Sequence, residues 1–573
     1  MILRRLYEYA LSLGDEIPPM GMELKEIEYV VVIDHNGHFV RFESKRIDKR
    51  RCASFLVSKA VSRTSAPKTN TLWDNGKYVF GFEKSHEKYH SLFVERVKEI
   101  RRRHPDNPGI TAMYKFYEYP AEERKAEMEK DPMYEDVASS LAKNFSFRLD
   151  SEDKLIAEDK SLYLGETYEE DEQPRYGRCL VTGEYGRIVR TTTPTPIPDN
   201  SPMAALISFQ VNSGYDSYGK TQAYNSPISI QAESLITAAL KKLLSKDSKN
   251  KVRIGNRMFL FWSSGDPTIC ADLEDGLSLL LDVPDKKWAD ADQMLGKVHK
   301  LVKSIYSGAI KTTLDDRFHI LGLSPNTGRI SVVMWTECSL QEFAQYISAH
   351  FNDMELTDIR RPQDQRPYLG VYSILSAITR EGKLSGVLPN IVSEVTAAIV
   401  TGGQYPYRLY TSAIERIRAE LNEHRVSIHH ASILKAYINR KNKYNNNHKP
   451  LQAMLDKSNT NPGYLCGRLT AILETIQEKA GNGDSIRTRY MSAASSTPAS
   501  VFPAMLNLSV HHLEKLTTGS RIYFENIKQE IIDLLPVSGF PSHLDINDQG
   551  RFFVGYYHQR ADIFSKKEKS DTE

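Results

Sequence analysis

Residues 461–480 read NPGYLCGRLTAILETIQEKA, and this stretch decides the fold of the C-terminal part of the chain. Its apolar side chains recur at steps of three and four, which places them on one face of a helix. These residues are Leu465, Leu469, Ile472, Leu473 and Ile476. The stretch therefore predicts an amphipathic helix that needs a partner for its apolar face.

Three further apolar stripes follow this helix. The first begins at Thr497-Pro498, a capping residue followed by a ring already set at a helical φ. The second includes Phe524, and the third includes Phe552 and Tyr556. A helix with one apolar stripe cannot bury it alone. We therefore expect a helical bundle over residues 451–573.

Composition limits the class of protein. A chain of 573 residues is too long for one hydrophobic core, so two to four domains are expected. The sequence has no apolar run of the roughly 18 residues that cross a bilayer, and its N-terminal residues lack a secretory signal. Its five cysteines form no C-x-x-C pair, which argues against a zinc knuckle or a disulfide framework. These features favour a cytoplasmic protein with free thiols.

The net charge of +2 conceals a basic segment followed by an acidic one. Only Glu43 and Asp48 oppose nine basic residues between positions 41 and 68. The nine are Arg41, Lys45, Arg46, Lys49, Arg50, Arg51, Lys59, Arg63 and Lys68. Such a segment can bind phosphates with a steep salt dependence, or it can be a solvated charged face. Charge alone leaves both interpretations open.

Residues 1–115 predict a strand-rich module that carries this basic segment. IEYVVVIDHNGHFVRFES (27–44) predicts a hairpin with a type I′ turn at Asn36-Gly37. TNTLWDNGKYVFGF (69–82) predicts a second hairpin, which turns at Asn75-Gly76. Asn70, Asn75 and Lys77 there have the polar groups needed to reach base edges. Asn75 is first expected to be simply the turn residue.

Residues 116–200 predict a helical, acidic connecting region, and residues 201–352 an α+β core. A strand is expected over 206–210, followed by the loop SYGKTQAYNSPIS (217–229). Lys220, Gln222 and Asn225 in this loop can contact a phosphate or an unpaired base. The loop can equally cap the next helix, with Ser226-Pro227 as the cap and first-turn pair.

Further elements complete the predicted core. A strand pair is expected over 252–264, a hairpin over 319–335, and helices over 231–245, 290–308 and 339–352. Amphipathic helices fill 353–450 and end in the asparagine-rich sequence KNKYNNNHKP (441–450), which is typical of a linker. The predicted fold class is α+β, with strand-rich N-terminal and central α+β portions, a helical region and a C-terminal helical bundle.

The sequence contains no catalytic motif of a known kind. A phosphate-binding loop, a zinc-binding H-E-x-x-H helix and a nucleophile elbow are all missing from it. Asp285, in PDKK (284–287), has one feature of a metal-dependent nuclease motif but lacks its supporting acid and strand. We therefore expect a non-enzymatic protein without a cofactor or metal, and a nuclease with a divergent metal site is the alternative.

Two passages carry a family resemblance. TRYMSAASSTPASVFPAML (488–506) and QGRFFVGYYHQR (549–560) resemble the large subunit of the type I-C (Dvulg subtype) CRISPR Cascade effector complex, in the Cas-eight family. The resemblance covers nearly the whole chain and is strongest over 201–240 and 461–560. It implies that the N-terminal module meets duplex DNA at the protospacer-adjacent motif (PAM), while guide RNA pairing reads the remaining sequence. Arg487, Arg489 and Tyr490 of the bundle would then contact the opened strands.

The resemblance also implies partners. These are the CRISPR guide RNA, the backbone subunits, a Cas-five-type subunit, the target duplex DNA and a separate helicase-nuclease that supplies the cutting. A small subunit is understood in this family to arise by internal translation of the same gene. Met454, just after the predicted linker, is a candidate start. An ordinary internal methionine explains the same residue without that assumption.

Overall fold

The computed structural model of the chain describes residues 1–48, 51–61, 67–163, 174–195, 197–201, 204–211, 214, 218–245, 247–281, 299–313, 315–326, 328–356, 369–444, 449–481, 483 and 486–565. They fall into two compact units. The first unit comprises Met1–Thr193 and Ile207–Lys241, and the second comprises Pro194–Leu206 and Lys242–Glu573. The finer division into five segments stays a prediction.

The fold is α+β, as the sequence predicts. Its strands are β1 (Met22–Glu26), β2 (Tyr29–Ile33), β3 (Phe39–Ser44), β4 (Ser54–Ser58), β5 (Trp73–Asn75), β6 (Asn144–Leu149), β7 (Tyr176–Arg178), β8 (Tyr185–Arg187), β9 (Lys251–Ile254), β10 (Arg257–Ser264), β11 (Arg317–Asn326) and β12 (Arg329–Ser339). Its helices up to residue 354 are α1 (Ile2–Leu13), α2 (Gly76–Val79), α3 (Glu87–Arg103), α4 (Pro108–Glu118), α5 (Ala121–Met128), α6 (Tyr134–Ser139), α7 (Ile230–Leu244), α8 (Pro267–Leu280), α9 (299–306) and α10 (Leu340–Met354).

Helices dominate the rest of the second unit. They are α11 (Val371–Ala377), α12 (Pro389–Thr401), α13 (Tyr407–Glu420), α14 (Ile428–Tyr444), α15 (Pro462–Lys479), α16 (Met491–Ala494), α17 (Pro498–Leu513), α18 (Thr518–Asp533) and α19 (Ile546–Ser565). The predicted helix start at Thr497-Pro498 is confirmed, since α17 begins at Pro498, although the Thr497 side chain makes no capping hydrogen bond. Helix α15 begins at Pro462, after Asn461, whose side chain accepts the Tyr464 N–H at 3.0 Å.

The first unit is built on a four-stranded sheet in the order β3-β2-β6-β5. Strand β2 reads YVVVI and is buried along its whole length, as expected of an inner strand with both faces covered. It pairs antiparallel with β3 on one side and in parallel with β6 on the other. Helices α3 and α4 bury Phe93, Val97 and Met113 in the core of this unit. The sequence prediction missed β6, because it treats residues 116–200 as a helical, acidic connecting region.

The first predicted hairpin is confirmed, but its turn differs. Gly37, and not Asn36, takes a positive φ (+87°), and its N–H donates to the Asp34 carbonyl at 3.0 Å. The connection is therefore a tight turn closed by a left-handed glycine, where a type I′ turn would need two successive residues at positive φ.

The second predicted hairpin, at Asn75-Gly76, is wrong. Asn75 is the N-cap of α2, and its side-chain oxygen accepts the Lys77 N–H at 3.2 Å. Gly76 is the first residue of that helix and lies against Leu141. A β-carbon on Gly76 would come within 2.7 Å of the Leu141 side chain. Here asparagine followed by glycine marks the start of a helix whose first residue packs closely against Leu141. Strand β5 pairs with β6, which is distant in the sequence, instead of forming a hairpin.

Two expectations around residue 220 also fail. Residues 206–210 form no strand, since none of these described residues takes a partner in the sheets. Helix α7 begins at Ile230, and Ser229, not Ser226, caps it by accepting the Ala232 N–H at 3.3 Å. Other predictions hold: β9–β10 and β11–β12 pair antiparallel, and α10 begins after Ser339.

In the second unit, α15 and α19 lie side by side and run in the same direction. Gly463 lies against Asp548, and Gly467 one turn later lies against Phe552. Spaced four apart on one face, the two glycines let the helix backbones touch. Further along, Tyr556 of α19 hydrogen-bonds Glu474 of α15.

The bundle is continuous with the helices before it. Helix α19 also packs on α14, and Tyr410 of α13 donates to the Ile546 carbonyl at 2.8 Å. Asn439 of α14 exchanges two hydrogen bonds with the Leu451 backbone. Helix α14 reaches Tyr444, so the first four residues of the predicted linker are helical, and 445–448 lie outside the described residues.

Candidate nucleic-acid interface

Glu43 organises the basic segment of the first unit. Its carboxylate accepts hydrogen bonds from Arg41 at 2.7 Å and Lys45 at 2.9 Å, and from Arg148 of β6. Burial opposes ionisation of Glu43, but the hydrogen bonds from Lys45, Arg148 and Arg41 outweigh it and lower the pKa of this carboxyl to about 2. Three cations around one carboxylate leave an excess of positive charge, and Arg41 is exposed.

Other cations of the segment also have local partners. Arg46 lies over the Tyr29 ring, 4.9 Å from its centroid, and 3.7 Å from Asp136. Arg51 pairs with Asp48 at 2.7 Å. Exposed pairs of this kind are worth little and can exchange for phosphate.

The remaining cations of the segment differ in how the structure holds them. Lys59 hydrogen-bonds Thr193 at 2.9 Å and lies 3.8 Å from Glu233. Lys68 is exposed. Lys49, Arg50 and Arg63 lie outside the described residues.

The candidate base-reading residues separate into buried and exposed ones. Asn70 is only 4% exposed, and its side-chain oxygen accepts the Val61 N–H at 2.9 Å, so it supports the local backbone. Asn75 is half-buried and caps α2. Lys77 is exposed on the first turn of that helix, so it has the most accessible side chain of the three.

The loop around Lys220 is held by its own polar groups. Asn225 donates to the Gln222 carbonyl at 3.0 Å and to the Lys220 carbonyl at 3.4 Å. The Gln222 side chain accepts from Arg190 at 2.8 Å. Gln222 and Asn225 thus shape the loop, and Lys220 is exposed.

Sequence reasoning missed a short antiparallel ribbon beside this loop. Its two strands, β7 and β8, both read Tyr-Gly-Arg. Tyr176 pairs with Arg187, and Arg178 pairs with Tyr185. The repeated tripeptide, nine residues apart, was the available signal in the sequence.

Residues 3–564 match the Cas_Csd1 family of CRISPR-associated proteins. The chain belongs to this family. Membership supports a Cascade-type subunit of a CRISPR system. No curated protein matches the chain.

The candidate strand-contacting residues of this Cas_Csd1 chain lie on one π-helical turn, Ile486–Tyr490. Arg487 is buried, with its guanidinium 3.9 Å from the Glu474 carboxylate. Arg489 is exposed and Tyr490 half-buried. Arg487 therefore belongs to the interior of the bundle, and Arg489 is the residue that faces solvent.

Glu474 lies at the centre of a buried polar cluster. It is fully buried between α15 and α19 and lies 3.3 Å from Arg425 and 3.2 Å from Arg560. Tyr556 donates its hydroxyl hydrogen to the same carboxylate. The neighbours of this buried carboxylate are the guanidinium groups of Arg425 and Arg560 and the hydroxyl of Tyr556, all of them donors from the protein itself, so the cluster ties these segments together.

The alternative of a metal-dependent nuclease finds no support in the described part of this Cas_Csd1 chain. There, no group of three histidine, cysteine or acidic side chains is arranged to hold a metal ion. Asp285 itself lies outside the described residues. Among the described helices, none is both long and apolar enough to span a membrane.

Proposed function

We propose that this chain is the non-catalytic large subunit of a type I-C CRISPR RNA-guided surveillance complex. Its first unit would bind PAM-containing duplex DNA, and its helical bundle would stabilise the opened strands. The complex would then recruit a separate helicase-nuclease. The guide RNA, the backbone subunits and a Cas-five-type subunit are the proposed partners, in the cytoplasm.

The observation that carries this proposal is the Cas_Csd1 match over residues 3–564, together with the cationic cluster around Glu43. A protein that locates a short motif before strand exchange needs phosphate contacts to set its register. Arg41, Arg46 and Arg51 are exposed and held in weak surface pairs. Their guanidinium groups can therefore turn from carboxylates to phosphates at little cost.

The test uses the complex reconstituted with the full chain. In one variant, Arg41→Gln, Lys45→Gln and Arg46→Gln are combined. We expect weaker capture of the target duplex. We also expect the slope of log K against the logarithm of the salt concentration to be shallower by up to about 2 to 3. The matched control combines Lys125→Gln, Lys130→Gln and Lys154→Gln, which removes the same charge from the acidic region and should leave capture unchanged.

Two results would overturn the proposal. One is capture with an unaltered salt slope by the triple variant. The other is equal target capture by an assembly that lacks this subunit. Sequencing RNA that copurifies with the tagged chain tests the partner independently, because repeat-derived guides are expected there.

A further inference from the structure

The ribbon β7–β8 presents two tyrosines and two arginines on one face. Directly opposed residues of an antiparallel pair point to the same side, and so do residues two apart on a strand. Tyr176, Arg178, Tyr185 and Arg187 therefore form a two-by-two array in which each ring has a guanidinium beside it and across from it. The residues between them, Gly177 and Gly186, face the other way.

The rings of this array are unusually open to solvent. Tyr176 is 60% exposed and Tyr185 is 72% exposed, while Arg178 is exposed and Arg187 half-buried. Large aromatic side chains normally bury most of their surface, so two exposed rings on one short ribbon indicate a binding surface.

The ribbon is anchored, so its array is held in place before any ligand arrives. The Cys179 sulfur accepts the Val181 N–H at 3.4 Å within the turn and the Ser229 N–H at 3.3 Å from the start of α7. Ile188 also bridges to Ser229. A surface fixed in this way loses little conformational entropy on binding.

A third tyrosine-glycine-cation tripeptide lies next to the ribbon. Arg175, which precedes β7, donates to the Gly219 carbonyl at 3.2 Å. This contact holds the loop in which Tyr218 is fully exposed and Lys220 is exposed. The described residues of ribbon and loop together carry five cations against the exposed Glu184. The cations are Arg175, Arg178, Arg187, Arg190 and Lys220.

We propose that the tyrosine–arginine surface, defined as Tyr176, Arg178, Tyr185 and Arg187 with the neighbouring Tyr218 and Lys220, binds single-stranded nucleic acid. Exposed rings stack on unpaired bases, and the adjacent cations neutralise the phosphates between them. A duplex offers no free base faces to the rings. This inference rests on the proposed function and adds to it a second, separate contact surface for unpaired strands.

The test measures binding of the purified full chain to fluorescein-labelled oligothymidylate, oligouridylate and a duplex of equal length. Tyr176→Ala with Tyr185→Ala should weaken single-strand binding by at least about tenfold without changing the salt slope, because stacking is not an ionic contact. Tyr176→Phe with Tyr185→Phe should restore it. Arg178→Gln with Arg187→Gln should make the slope of log K against the logarithm of the salt concentration shallower by about 1 to 1.5. Tyr306→Ala, at another exposed tyrosine, is the control.

The outcomes separate this inference from the proposed function. A loss confined to oligothymidylate assigns the surface to opened DNA, and a loss confined to oligouridylate assigns it to RNA; both support the inference. Unchanged single-strand binding in the double alanine variant overturns it, even where the duplex still binds through the Glu43 cluster. The inference is equally overturned if this variant binds oligonucleotides normally but fails to assemble with the other subunits, since the surface would then dock protein.

Discussion

Gly467 of α15 lies directly against the carbonyl oxygen of Phe552 in α19, so close that a β-carbon would overlap that oxygen. Neither backbone can yield without moving its whole helix. Gly467→Ala should therefore destabilise the second unit by about 3 kcal/mol. Faster hydrogen exchange in peptides from α15 and α19, with exchange in β2 unchanged, is the measurement.

Gly519 supplies a matched control for this substitution. It lies in the exposed first turn of α18, and a β-carbon there would meet nothing within 4 Å. Gly519→Ala should leave the exchange rates equal or slightly slower, since alanine is the better helix former. A Gly467→Ala protein that exchanges like the wild type would show that the helix backbones do not meet as described.

The second unit should lose stability as the pH falls below about 6.5. His350 is buried between the Tyr405 hydroxyl at 2.6 Å and the Leu369 carbonyl at 2.8 Å, and burial, with the charge of Arg440, lowers its pKa to about 3. Burial likewise lowers the pKa of His558 to about 3. Both imidazoles stay neutral in the folded protein, whereas the unfolded chain takes up protons as the pH falls. Each histidine therefore lowers the free energy of unfolding by about 1.4 kcal/mol per pH unit below 6.5.

Urea unfolding monitored by circular dichroism between pH 7 and pH 5.5 measures this loss. His350→Gln and His558→Gln, made separately, should each reduce the pH dependence by about 1.4 kcal/mol per pH unit, and making both keeps the test valid if one variant fails to fold. His511→Gln, at a histidine whose side chain is 78% exposed, should retain all of it. A wild-type stability that is flat over this range would contradict the prediction.

Met454 offers a direct test of internal translation. Its side chain is 58% exposed, so Met454→Leu should leave the full chain folded while abolishing a short species of residues 454–573. An immunoblot against the C-terminal helices makes the comparison. Met20→Leu, at a methionine exposed to 56%, is the control and should leave any short species in place. Persistence of that species in Met454→Leu would end the hypothesis.

The sequence predicted elements whose signals are local. Helices α15 and α17–α19 follow from their apolar spacing, and α17 also from the proline in its first turn. The hairpin β11–β12 follows from two β-rich runs joined by a turn sequence. Asn75-Gly76 failed as a hairpin because the same two residue types also start helices. Strand β6 was missed because its parallel pairing with β2 joins residues more than a hundred positions apart.

The candidate site was harder to predict than the fold. The nine cations near residue 50 are visible in the sequence, but the sequence could not show that Glu43 gathers Arg148 from another strand, or that Asn70 is buried. Side-chain pairing of this kind depends on the tertiary fold. The repeated Tyr-Gly-Arg was visible in the sequence, yet its meaning needed the strand register that puts each tyrosine opposite an arginine.

The polar cluster between α15 and α19 has a consequence for synthesis on the ribosome. Tyr556, which satisfies Glu474, lies 82 residues downstream of it. At about 5 to 20 residues per second, α15 emerges roughly 4 to 16 seconds before the partner that covers it. During that interval Glu474 and the apolar face of α15 lack the cover that α19 gives them in the folded protein, so the nascent chain exposes a carboxyl group and an apolar surface together.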